Sequence, residues 1–152
     1  MSDADDELIK AAADISSHDR ARAGFIGSMT MILGGFAVLY GLLTLVYGDD
    51  IWRFEGYQGN YTTALQLPGA PETWGVGFTV VGVWALVVGY LARSVMLSVA
   101  MALLAIMFGI FASSFVIDAI RLHAPESWPA ALTYATLAVS MGTRARLAWV
   151  TR

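Results

Sequence analysis

Four long stretches of this chain carry no charge. Ala23 to Gly48, Thr73 to Ala92, Ser94 to Ile117 and Ser127 to Thr143 contain no Asp, Glu, Lys or Arg. A bilayer core about 30 Å thick is crossed by roughly 20 apolar residues at a helical rise of about 1.5 Å each. The first three stretches meet that length and the fourth just reaches it. They are too long and too continuously apolar for the alternating strands of a lipid-facing barrel. Backbone groups in lipid must also be satisfied within their own segment, so each stretch is expected to be a helix. The fold expected is all-α, an integral membrane four-helix bundle with spans at about 24–47, 74–92, 95–117 and 128–147.

Composition fits one membrane domain over 23–150, with an arm at 1–22 and an outer loop at 48–73, since only 14% of the residues are charged. The net charge of −3 comes mainly from the arm, through Asp3, Asp5, Asp6, Glu7, Asp14 and Asp19, so no basic footprint for nucleic acid exists. With Cys 0, disulfides, thiolate metal sites and cysteine nucleophiles are excluded together. The first apolar stretch starts too late and runs too long for a cleavable signal peptide, and is expected to remain as the first span.

Basic residues near the span ends set the expected orientation. With a cytoplasmic amino terminus, Lys10, Arg20, Arg22, Arg93, Arg144, Arg146 and Arg152 lie inside, and only Arg53 and Arg121 outside. The positive-inside rule then places both termini in the cytoplasm of a cell-membrane protein. Tyr47, Trp52, Trp74 and Trp128 fall at the expected outer ends, and Tyr90 and Trp149 at the inner ones, as interfacial aromatic belts do.

The arm, with Ser2 three residues before Asp5 and then Leu8, Ala12 and Ile15, reads as a short cytoplasmic amphipathic helix. In the outer loop, Ile51 to Glu55 alternates, Gly56 to Gly59 offers turn chemistry, and Tyr61 to Leu67 suits a return strand, so a small β-hairpin is expected. Trp52, Phe54, Tyr57 and Tyr61 read as interfacial anchors of that loop. Asn60-Tyr61-Thr62 matches the glycosylation tripeptide, a weak signal.

Small residues recur at spacings of three and four within the spans. Gly34, Gly41, Gly82, Gly89, Gly109 and Ala135 mark the expected helix-packing seam, because small side chains let backbones approach where lipid gives little hydrophobic drive for association. Only Arg93 and Ser94 separate the second and third spans, so those helices are expected to be antiparallel neighbours. At the outer end of the third span, Asp118 and Arg121 are three apart on one face and suit an interfacial ion pair. Asp118, Arg121, Tyr40 and Tyr134 together form the candidate polar site, whose other reading is a ligand or proton pocket.

The two histidines, His18 and His123, fall on opposite sides of this topology, and no triad, metal cluster or phosphate loop can be assembled around them. No catalytic, cofactor or metal residue is assigned. The charge-free interiors also lack the ionisable centre of a proton-coupled transporter.

Gly24-Phe25-Ile26-Gly27 to Gly41, Thr73-Trp74-Gly75, the Gly82 to Gly89 core ending in Leu91-Ala92-Arg93, and Pro125 with Trp128 before the last span carry a resemblance. Over about 23–146 the chain resembles a family of small four-span actinobacterial membrane proteins of unknown function. It differs in a longer outer loop and in lacking an acidic residue in the fourth span. The resemblance implies a four-span bundle and supplies no activity. The function expected is that of a non-enzymatic membrane protein whose partners are the lipid bilayer, itself as a homo-oligomer, or another membrane protein. The alternatives are a phage holin-type permeabilising oligomer and a binder or carrier of an apolar ligand.

Overall fold

The computed structural model describes residues 27–48, 62–65, 68–91, 93–121, 123 and 127–150, and every regular element among them is a helix. The elements are α1 (Gly27–Tyr47), the single turn α2 (Thr62–Leu65), α3 (Glu72–Tyr90), α4 (Ser94–Arg121) and α5 (Ser127–Val150). Three of them, α1, α3 and α4, are long and apolar enough to cross a bilayer. Their outward residues are those that lipid requires: Ile32, Leu39 and Val46 on α1, Val76, Val80, Val83 and Val87 on α3, Ile106 and Ile110 on α4. So much exposed aliphatic surface on long apolar helices marks a membrane protein. The remaining long helix, α5, is less apolar, because Thr133, Thr136, Ser140, Thr143, Arg144 and Arg146 interrupt it. Its 24 residues, about 36 Å at helical rise, run beside α4.

Local chemistry accounts for the helix ends. Gly48, with φ +51°, closes α1 by donating its N–H to Thr44 O at 2.9 Å, a left-handed C-cap that glycine adopts without Cβ strain. Ahead of α3, the Thr73 hydroxyl donates to the Pro68 and Gly69 carbonyls, both at 2.9 Å. Between α3 and α4 the chain reverses within three residues. Leu91 N–H donates to Val87 O (3.0 Å), Arg93 N–H to Val88 O (3.1 Å) and Leu97 N–H to Arg93 O (2.9 Å), so the turn spends its backbone groups on the two helix ends. The tight antiparallel pair expected from the two-residue gap is present, with α3 packed on α4.

The glycines of α1 and α3 interlock. A Cβ on Gly41 would lie 2.7 Å from Gly75 O, and one on Gly75 would lie 3.1 Å from Gly41 O. One turn pair further along, a Cβ on Gly34 would lie 3.6 Å from Gly82 O, and one on Gly82 3.1 Å from Gly34 O. Residues seven apart on each helix therefore meet residues seven apart on the other, in opposite chain directions. That is the contact of two antiparallel helices kept close by missing side chains. Gly89 continues the line toward Thr30, whose Cγ2 would stand 2.8 Å from an added Cβ.

The seam does not extend to all six expected positions. An added Cβ on Gly109 meets nothing within 4 Å, and Ala135 is exposed. Both lie on outward faces, because α4 and α5 pack through other residues. The Ser98 hydroxyl donates across to Ala145 O at 2.8 Å, and Gly142 faces Ala105. Spacing alone cannot separate two small-residue faces of one helix, and α4 and α5 each carry two.

The outer loop also departs from expectation. The return strand expected over Tyr61 to Leu67 is instead a helical turn at Thr62–Leu65, docked against α4. Ties to the bundle, described below, replace the ladder partner that a strand would need. The other half of the expected hairpin, 51–59, and the amphipathic arm at 1–22 lie outside the described residues.

Candidate functional site

The interior is built around aromatic rings contributed by all four long helices. Phe78, Phe108 and Phe111 are fully buried. Phe78 and Phe108 have ring centroids 4.5 Å apart, and Phe111 meets Tyr134 edge-on at 4.8 Å. Tyr40 from α1 meets Phe78 edge-on, Trp74 stacks on Phe78, and Phe115 stacks on Tyr134. Such tilted and edge-to-face pairs each add about 0.5–1.5 kcal/mol beyond area burial. The cluster was legible in principle, since Phe36/Tyr40, Trp74/Phe78 and Phe108/Phe111/Phe115 recur at helical spacing. In spans that are apolar all round, however, that spacing does not say which face is inward.

Of the four residues expected to form one polar site, Tyr40 and Tyr134 meet in this cluster, where the Tyr134 hydroxyl donates to the Tyr40 hydroxyl at 3.0 Å. Asp118 belongs to a different arrangement at the α2 end of the bundle. It is 2% exposed and accepts a hydrogen bond from the Thr63 hydroxyl at 2.6 Å. Arg121 is exposed. The expected interfacial ion pair is thus corrected: among the described residues the carboxylate is met by Thr63 and covered by α2, while Arg121 points to the surroundings.

Trp74 requires a second correction. Expected as an interfacial anchor, it is 6% exposed, and its indole N–H donates to Ala64 O at 2.9 Å. Together Asp118 and Trp74 clamp α2 to the bundle from two sides. The outer polar arrangement is therefore a docking point for the loop's return segment, with a short charge-assisted bond at its centre.

The opposite end of the bundle holds a polar group that the sequence reading placed at the surface. Arg144 is 5% exposed and donates through Nε to Thr30 Oγ1 at 2.8 Å, joining α5 to α1. Its neighbour Ala145 receives the Ser98 bond from α4. Ser98 and Asp118 stand 20 residues apart on α4, which separates the two polar ends by about 30 Å.

On the outside of α5, Thr133, Thr136, Ser140 and Thr143 form one stripe at spacings of three, four and three. Their hydroxyls donate to the carbonyls four residues back, at 2.8 to 2.9 Å. Bonded this way, they face lipid or another helix without an unsatisfied donor. Among the described residues no group of three His, Cys, Asp or Glu forms a candidate metal centre. Comparison of the chain with protein-family models, with curated proteins and with solved structures finds no match, so the likeness to a four-span actinobacterial family stays a resemblance carried by the residues quoted for it.

Proposed function

We propose that this is a non-enzymatic four-span protein of the cell membrane, both termini cytoplasmic, which acts through contacts of its outer faces with lipid or with other membrane proteins. The observation that carries this reading is the interior itself. Phe78, Phe108 and Phe111, closed in by Tyr40, Trp74, Phe115 and Tyr134, fill the volume between the long helices. A carrier of an apolar ligand would need that volume. Of the described ionisable residues that are buried, Asp118 bonds Thr63 and Arg144 bonds Thr30, at opposite ends of the bundle. Among the described residues, the surfaces offered for contact include the aliphatic faces of α1, α3 and α4 and the hydroxyl stripe of α5.

That stripe favours one second reading, a holin-type oligomer in which α5 faces a copy of itself or water. Four small hydroxyl residues in line on the least apolar long helix suit close helix contact and tolerate a wet lumen. Induced expression with a membrane-potential dye separates the two. Under the leading reading the potential holds. Its collapse, accompanied by disulfide dimers through Thr136→Cys in this cysteine-free chain, would replace that reading with the permeabilising one.

A further inference from the structure

The last long helix is the one whose place in a bilayer its own sequence supports least. At 24 residues α5 is longer than α3, yet the described helices apolar enough to cross a bilayer are α1, α3 and α4. Thr133, Thr136, Ser140 and Thr143 lower its apolarity, and Arg144 and Arg146 add two charges near its end. Arginine is among the side chains that oppose insertion of an isolated helix most strongly. The bundle meets these polar groups one by one. The four hydroxyls donate to carbonyls of α5 itself. Arg144 is drawn off the outer surface, 5% exposed, and its Nε donates to Thr30 on α1. Beside it, the carbonyl of Ala145 accepts from the Ser98 hydroxyl of α4. Both partners sit on helices that precede α5 in the chain and are apolar enough to be in the membrane before it.

We infer that α5 is a conditional span, which crosses the membrane only when packed on α1 and α4, and that the bond between Thr30 and Arg144 decides on which side the carboxyl terminus ends. A chain whose α5 stays out has three spans, and its last residues lie on the same side as the 48–73 loop. With α5 in place they lie on the opposite side. The fold thus carries a device with two topological end states, set by one charge-bearing hydrogen bond between the first and last long helices and supported by a second from α4. Thr30 and Ser98 are positioning residues in it. The inference rests on the four-span membrane reading above. Its readout compares two sides of the membrane, so it does not depend on which side is cytoplasmic, on α5 cross-linking or on membrane potential.

The test uses the full chain in cells, with single cysteines placed at Gly59 or Thr151 of this cysteine-free sequence and an impermeant maleimide applied before and after lysis. In the otherwise wild-type chain the two positions should report opposite sides. Thr30→Val keeps the branched shape and removes the acceptor, so it should raise the share of chains with position 151 on the side of position 59 by about tenfold or more, the equilibrium worth of a hydrogen bond to a charged group. Ser98→Ala should move the label in the same direction and less far. Arg144→Leu removes the charge that needs Thr30, so in that background Thr30→Val should leave position 151 where the wild type has it. That rescue separates the inference from simple loss of stability, which would persist in the double variant. Wild-type labelling in both Thr30→Val and Ser98→Ala overturns the inference, and so does an equal shift by Thr30→Val with and without Arg144→Leu. If Thr30→Val alone does not accumulate, its recovery with Arg144→Leu supports the inference and continued loss overturns it. Positions 59 and 151 on one side in the wild type would overturn the four-span reading and the inference with it, whereas the variant outcomes overturn the inference alone.

Discussion

For the glycines, the nearest neighbour decides the sign of an alanine substitution. Gly41→Ala and Gly75→Ala would drive a Cβ to 2.7 Å from Gly75 O and from the Leu45 side chain respectively, with the partner backbone close behind. Each should destabilise by about 1–3 kcal/mol, as overpacking does in tight interiors. Gly35 and Gly109 have nothing within 4 Å of an added Cβ. Alanine there should be neutral or stabilise by up to about 1 kcal/mol, since glycine is the poorer helix former. Reversible unfolding in mixed micelles measures all four, and equal effects would mean that α1 and α3 do not touch through Gly41 and Gly75. Tyr134→Phe keeps the ring stacking and removes one hydroxyl, so it should cost about 1 kcal/mol, the ordinary net worth of a hydrogen bond. Tyr134→Ala should cost several times more, because the rings around it lose their contacts.

At the scale of elements, the smallest is the most dependent on its neighbours. A single helical turn such as α2 does not hold itself, because nucleation costs more than one turn returns. It stands where it does through Thr63 on Asp118, the indole of Trp74 on Ala64 O, and burial of Ala64. Asp118→Ala should cost about 1–3 kcal/mol, and Trp74→Phe about 1 kcal/mol. Both should raise the hydrogen-exchange rates of the amides at 62–65 more than those within α4. Unchanged exchange at 62–65 in Asp118→Ala would show that the clamp is not what places the turn. The long helices were readable without such partners, since uninterrupted apolar length dictates a helix in lipid wherever it packs. The turn at 62–65 was not, because Thr62-Thr63-Ala64-Leu65 has no local preference strong enough to oppose a strand reading. Its partners lie outside the turn, Trp74 10 residues from Ala64 and Asp118 55 residues from Thr63.

For the whole molecule, the aromatic interior is the common support of the four long helices, so Phe108→Ala or Phe111→Ala should cost about 3–5 kcal/mol, far more than Ile110→Ala on the lipid side of the same helix. Thermal stability in detergent checks the contrast, and equal losses would mean that the rings are not the core. The orientation prediction survives the withdrawal of Arg144 into the bundle, since Lys10, Arg20, Arg22, Arg93, Arg146 and Arg152 still stand against Arg53 and Arg121. Single cysteines at Ser17, Gly59 and Thr151 should react with an impermeant maleimide in intact cells only at position 59; labelling at 17 or 151 would reverse the topology. The sequence by itself determined that the chain is helical, membrane-borne and folded back tightly at Arg93, because charge-free length and a two-residue gap admit few other solutions. It also placed the glycines that α1 and α3 use. Tertiary structure alone decided which small-residue face of α4 and α5 turns inward, that Trp74 and Asp118 are buried under α2, and that Arg144 leaves the surface to meet Thr30. The reason is physical. In lipid an apolar side chain is equally at home on either face, so hydropathy cannot separate inside from outside, and only the fit of one helix against another does.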